Sequence, residues 1–293
     1  MIRRTPGETS FDIMNYLILT ILALSCVVPF IHLLAVSFSS SAAATQGRVG
    51  LWPLELTLSS YKFAFQRPDF IRSFAITVER VVLGLGVNML LVVITAYPLS
   101  KSKSAFLGRT PIAWYFVITM FVGGGLVPTY MIVTGTGLKN SILALILPGA
   151  VPIFYLVILL NFFRQIPKEL EESALIDGAG HFRILWQIYV PLSIPALATL
   201  TIYTIVGHWN EWFSGLIYMD NAKNYPLQTY LQNVITMPDF SLFDPMQMEL
   251  MKNISNKTFR AAQIMIVTLP ILIVYPLLQR YFISGMTLGS LKG

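Results

Sequence analysis

EESALIDGAGHFRILWQIYVP, residues 171–191, gathers three acids and two glycines into ten residues of a chain that is elsewhere mostly apolar. The local pattern is helical. Pro167 fits a first turn, Glu169, Glu171 and Glu172 suit its positive N-terminal end, and Leu170, Ala174 and Leu175 form an apolar stripe. Gly178 and Gly180 end that helix, because glycine takes the left-handed conformation without a side-chain penalty. Phe182, Leu185 and Tyr189 then repeat the helical spacing until Pro191 breaks it. The stretch predicts a compact helix, turn and helix lying at a membrane surface.

Composition explains why a membrane is invoked. Of the 293 residues, 55% are hydrophobic and 12% charged, where soluble domains carry roughly 25% charged residues. The apolar residues come in blocks long enough to cross a hydrocarbon layer, which takes roughly 20 helical residues. Six such blocks span 15–37, 80–99, 112–133, 141–163, 194–218 and 261–283, giving a single all-α transmembrane domain over 1–293. Pro29, Pro128, Pro148, Pro152, Pro195, Pro270 and Pro276 fall inside them and predict kinks whose freed backbone groups neighbouring helices satisfy. Arg3, Arg4, an apolar run and SAAATQ at 41–46 imitate a secretory signal, but the run exceeds an h-region of roughly 7–15 residues. An uncleaved first span is expected. The lone Cys26 excludes an internal disulfide and a cysteine-rich metal site.

Orientation follows the basic residues of the short loops. With the N-terminus inside, the twenty lysines and arginines divide ten and ten, so the total decides nothing. Long segments cross largely regardless of charge, however, and the short connections differ: Lys101, Lys103 and Arg109 at 100–110 against Lys139 alone at 134–140. Both termini are therefore expected in the cytoplasm, with the loop 164–193 beside them and the long loops 38–73 and 219–260 outside. The net charge of +6 is ordinary for basic membrane flanks facing lipid and requires no nucleic acid.

The spacing of the opening stretch also carries a resemblance. Glu172-Ser173-Ala174, three residues, Gly178, nine residues, Ile188, one residue, Val190 and Pro191 resemble the EAA signature of bacterial ABC importer permeases, with Ser173 and Val190 as mild departures. AYPLS at 96–100, HWNEW at 208–212 and the six-block layout are similar to the MalG-type carbohydrate branch. The run GGGLVPTYMIVTGTGLKNSILALILPG at 123–149 is similar to permeases for complex oligosaccharides, among them lipoprotein-type, pectin-derived and alginate importers.

The resemblance implies a type I ABC importer permease fold in the bacterial inner membrane and a cytoplasmic coupling helix seated in a groove of an ATPase. It implies a second, related permease, two cytoplasmic ATPases that bind ATP and Mg, and an extracytoplasmic solute-binding protein delivering an oligosaccharide. Acidic alginate- or pectin-derived chains are among the candidates. Glu171, Glu172, Ser173, Ala174, Asp177, Gly178, Ile188 and Pro191 become the coupling residues, with Glu172 and Asp177 as rim acids that set register. The competing reading is an amphipathic helix on the cytoplasmic leaflet without a partner; acids near an anionic surface count against it.

No G-x-x-x-x-G-K-[ST] phosphate loop occurs, so the chain is expected to be a non-catalytic subunit with no cofactor of its own. The main alternative is a proton-coupled secondary sugar transporter, which usually carries an ionisable group at mid-membrane depth; no block has a carboxylate near its centre. Trp209, Asn210, Glu211 and Trp212 are substrate-path candidates, able to stack on and hydrogen-bond a sugar. Equally, the tryptophans fit an interfacial aromatic belt and Asn210 and Glu211 an interhelical contact. His32 and His208 read as packed or hydrogen-bonded, and Gly123-Gly124-Gly125 as close helix packing. The outer segment around NYPLQTYLQ, 224–232, is either a docking surface for the binding protein or a structured cap.

Overall fold

Some of the apolar blocks fold as long single helices, even with a proline inside, and others meet a sharp bend. The computed structural model describes residues 6–236 and 255–290, and among these there is no strand. α1 (Pro6–Ser37), α4 (Pro68–Ser100) and α14 (Asn256–Ser290) are long enough and apolar enough to cross a membrane. Between α1 and α4 lie the short α2 (Ser41–Thr45) and α3 (Ser59–Gln66). The remaining candidate spans are bent pairs: α5 (Arg109–Phe121) with α6 (Leu126–Gly135) by 117°, Ile142–Gly149 with α7 (Ile153–Gln165) by 53°, and His181–Leu192, which joins α9 (His181–Ile184) to α10 (Val190–Leu192), with α11 (Ile194–Asn210) by 81°. If each bent pair is one span, the described helices supply up to six.

Each bend has an identifiable cause. Gly125 holds φ +80°, a left-handed value open to glycine, and the chain turns sharply there. A Cβ at Gly123 or Gly125 would meet nothing within 4 Å, so the triplet makes a break and not the tight packing expected from sequence. Pro148 and Pro152 interrupt the fourth block. The carbonyls left free at Gly149 and Ala150 are taken up by the Asn88 side-chain amide at 2.9 and 2.8 Å. Before α11, residues Leu185–Tyr189 widen into a π turn, ahead of Pro191, which has no N–H to donate and crowds the carbonyl four residues back. Pro29, Pro270 and Pro276 sit within uninterrupted helices.

The chain divides into two compact units. The first comprises Met1–Pro68 with Ile235–Leu269. Here α1 exposes Phe11, Tyr16 and Leu19 among many others, and a helix apolar on every face suits lipid or another helix. Its C-terminal end is tied to the following loop by the Leu54 amide donating to Ser39 Oγ, by Ser37 Oγ with the Tyr61 hydroxyl, and by Phe38 stacked on Tyr61 at 4.9 Å. His32 Nδ1 lies 2.8 Å from the Gly50 carbonyl, the hydrogen-bonded role expected of it.

The second unit comprises Asp69–Val234 with Pro270–Gly293. Its core joins Val92, Val93 and Ala96 of α4, Leu156, Leu159 and Phe163 of α7, Ile184 and Leu185 of the bent segment, and Ala196 and Leu200 of α11. Between membrane helices such association rests on van der Waals packing more than on expulsion of water. At Gly84 in α4 a Cβ would collide with the His208 imidazole, so glycine is what lets α11 approach α4. The block 194–218 does not run through as one helix: α11 ends at Asn210, Glu211 and Trp212 form a step, and α12 (Phe213–Tyr218) starts anew. α13 (Leu227–Thr236) then folds back onto the unit, the Leu227 amide donating to Thr77 Oγ1 and Thr229 Oγ1 to the Trp212 carbonyl. The rest of the outer loop, 237–254, lies outside the described residues.

Candidate functional site

Two features of the second unit carry chemistry. The first is built on α8 (Lys168–Ile176). Pro167 stands just ahead of the helix with extended ψ, one position earlier than the first-turn place read from sequence. Glu169 and Glu171 occupy the positive first turn. At the other end the Ala179 amide donates to the Ala174 carbonyl and the Gly178 amide to that of Leu175, with Gly178 at φ +79°. This is the Schellman closure that a glycine makes possible.

The outer face of this hairpin is unusually apolar for an exposed surface. Ile176 is 87% and Phe182 73% exposed, with Leu170 and Leu175 nearly half exposed beside them. Glu172, Ser173, Asp177 and Gly178 are exposed on the same hairpin. An exposed cluster of aliphatic and aromatic side chains suits contact with a protein or a membrane better than it suits water. Ala174 and Ile188 instead pack against the unit's core, and Pro191 is exposed at the third bend.

Glu171 turns the other way. Its carboxylate lies 2.8 Å from Lys101 Nζ and accepts a 2.7 Å hydrogen bond from the Tyr189 hydroxyl. Burial works to raise its pKa, but Lys101 and Tyr189 outweigh this and hold it below the ordinary carboxylate range. Burial also draws the Lys101 ammonium below the ordinary lysine range, with Glu171 opposing. Glu171 therefore fastens α8 to the end of α4, while Glu172 and Asp177 remain on the outer face.

The second feature is a cavity of about 610 Å³ between α4, the α5–α6 break, the turns before α7, α11 and α12. Tyr155 and Tyr203 stack at 6.1 Å on its wall, and the Gly123–Gly125 break lines it with bare backbone. Its polar wall holds two hydrogen-bonded groups. Arg80, 3% exposed, donates from Nη2 to Glu211 Oε2 at 2.7 Å and to the Leu145 carbonyl at 3.1 Å, and from Nη1 to the Glu211 carbonyl at 3.1 Å. Glu211 Oε1 accepts from the Ser214 amide, satisfying the start of α12. His208 Nε2 lies 2.6 Å from Asn88 Oδ1, the same asparagine whose amide serves the broken fourth block.

Of the four substrate-path candidates only Glu211 lines this cavity. Trp209 is 6% exposed and packs edge-on against Phe74 at 5.8 Å, beside an apolar cleft with Val78 and Pro270. Asn210 accepts a 3.4 Å hydrogen bond from Gln228, and Trp212 packs on Phe213. Glu211 thus makes the interhelical contact, with Arg80 as its partner. Sequence reasoning missed Arg80, Asn88, Tyr155, Tyr203 and Lys101. Arg80 reads as a helix edge in sequence but stands about three turns inside α4, and an arginine that deep in an apolar helix is itself the signal for a buried partner.

Comparison with known proteins adds the following. The family described as "Binding-protein-dependent transport system inner membrane component" matches residues 13–288. Protein LplC of Bacillus subtilis is 38% identical over 291 residues, covering 99% of this chain and 97% of that protein. The polygalacturonan/rhamnogalacturonan transport system permease protein YtcP of the same organism is 36% identical, covering 97% and 98%. Among solved structures, a chain of a bacterial ABC transporter involved in the import of the acidic polysaccharide alginate superposes with a TM-score of 0.89 at 32% identity, over 96% of this chain and 100% of that one.

Proposed function

The chain belongs to the family of binding-protein-dependent transport system inner membrane components, and from that premise we propose that it is the non-catalytic permease subunit of an ATP-driven oligosaccharide importer. In this reading it sits in the bacterial inner membrane with six spans and both termini cytoplasmic. It pairs with a second, related permease and receives sugar from an extracytoplasmic binding protein. Two cytoplasmic ATPases, which hold ATP and Mg, dock on the α8 hairpin. The observation that carries the proposal is the exposed face of Leu175, Ile176 and Phe182 with Glu172 and Asp177 beside it, on a helix whose inner side is fastened to α4.

Transport follows from coupling two sites through one conformational equilibrium. ATP binding by the ATPases draws their grooves together, α8 follows, and the helices around the 610 Å³ cavity exchange access between the two sides. The stacked Tyr155 and Tyr203 present aromatic faces to sugar rings, and the bare glycine backbone presents amides and carbonyls to hydroxyls. Alginate- and pectin-related chains are the favoured cargo, since the similar proteins include a polygalacturonan/rhamnogalacturonan permease and a chain of an alginate importer.

Proteoliposomes test the class. The complete complex is expected to accumulate labelled oligosaccharide only with ATP on the ATPase side and binding protein on the other. Uptake by this chain alone, driven by a proton gradient without ATP, would establish the secondary-transport alternative instead.

A further inference from the structure

Lys101 follows the last residue of α4, and in sequence it is one of several basic residues in a short loop. In the structure it is not a solvated loop lysine. Its side chain is 9% exposed, against 15% for its partner Glu171. The ammonium sits 3.8 Å from the centre of the Tyr97 ring and 4.0 Å from that of Tyr189, and those two rings meet edge to face at 5.0 Å. The Tyr189 hydroxyl holds the carboxylate oxygen that Lys101 does not reach, and the Tyr97 hydroxyl lies 3.0 Å from His181 Nδ1. One cation therefore gathers the end of α4, the first turn of α8 and the π turn 185–189 into a single cluster.

The chemistry of this cluster is unusual for a mere fastener. Replacing a buried ion pair with apolar residues is often neutral or stabilising, so such a pair is a poor choice if stability alone is required. Its distinguishing property is strict geometry: the charge is favourable only while the carboxylate and both ring faces stay in place. That is the property needed where displacement of one element must become displacement of another.

We propose that Lys101 is the positioning residue that joins α8 to α4, so that movement of the docked helix is delivered to the membrane helix lining the cavity. The inference rests on the permease reading above. With the joint intact, α8 and the end of α4 move as one body. Without it, α8 still docks through Leu175 and Ile176, but its motion is spent in the loop.

The test compares uptake per ATP hydrolysed in reconstituted complexes. Lys101→Met is expected to keep the basal ATPase activity of the assembled complex within about threefold of wild type while stimulation by substrate is lost and uptake per ATP falls at least tenfold, and Lys101→Arg, which keeps the charge and stacks on aromatic rings, is expected to retain at least half of the coupling. If Lys101→Met does not assemble, the Lys101→Met/Glu171→Gln double variant, which leaves no unpaired charge, is measured with the same expectation. An unchanged uptake per ATP, or ATPase and uptake falling in the same proportion, overturns the joint. Absence of ATP-dependent uptake in the wild-type complex would instead refute the permease reading itself.

Discussion

Replacing Arg80 with methionine is expected to destabilise the detergent-solubilised protein by about 2–3 kcal/mol, less than the roughly 3–5 kcal/mol for breaking a fully buried ion pair because the Glu211 side chain left behind is 35% exposed. Arg80 serves both a side chain and the backbone: it pairs with the Glu211 carboxylate and bonds the carbonyls of Leu145 and Glu211. Methionine fills much of the volume but leaves the carboxylate with only its Ser214 contacts and strands the Leu145 carbonyl. Adding Glu211→Gln removes the uncompensated charge and is expected to recover about half of the loss, because a neutral amide costs less to bury. Denaturant unfolding of the two variants measures both effects. An Arg80→Met variant as stable as wild type would show that this network does not hold α4 to the α11–α12 step.

Ile176→Asp is expected to act in the opposite way, leaving the fold intact and abolishing function. At 87% exposed, Ile176 makes little contact within the chain, so its replacement costs the folded unit little. In the docked complex, burial of such a side chain contributes roughly 1.5–3 kcal/mol, and a buried aspartate without a partner adds a further penalty. At 1.4 kcal/mol per tenfold, ATPase binding should weaken by roughly tenfold to a hundredfold or more. Titration of the ATPase against the solubilised permease pair gives the shift, and melting of the variant alone confirms that it is folded. Undiminished binding would remove Ile176 from the docking surface.

Those two residues also show what a sequence can and cannot reveal here. The end of α8 was legible because a left-handed residue followed by a capping hydrogen bond is a local event, written in Gly178 and its neighbours. The bends at Pro148–Pro152 and after Pro191 were legible for the same reason, since loss of an N–H is local, whereas Pro29, Pro270 and Pro276 leave their helices uninterrupted. The inward turn of Glu171 was not legible, because it depends on Lys101 and Tyr97 arriving from a distant helix. Within EES, nothing local distinguishes the carboxylate that fastens from the one that faces outward. HWNEW was ambiguous for the same reason: its composition suits sugar binding and an interhelical contact alike, and it is the step between α11 and α12 that sends only Glu211 to the cavity wall and pairs it with Arg80. The glycine triplet was read as packing because glycine in membrane helices often permits close approach, whereas here it breaks a helix and leaves backbone open to a cavity.

The central claim is that the outer face of α8 is where an ATPase grips this chain. Ile176→Cys, with Cys26 replaced by serine, places this chain's single thiol on that face for attachment of a short maleimide–diazirine reagent, whose photolysed carbene inserts into whatever protein surface lies against it in the assembled complex. The expected product contains this chain and one ATPase subunit, with loss of substrate-stimulated ATP hydrolysis in the linked fraction. A complex that transports oligosaccharide at the wild-type rate while Ile176→Cys carries the reagent and yields no such product would contradict it.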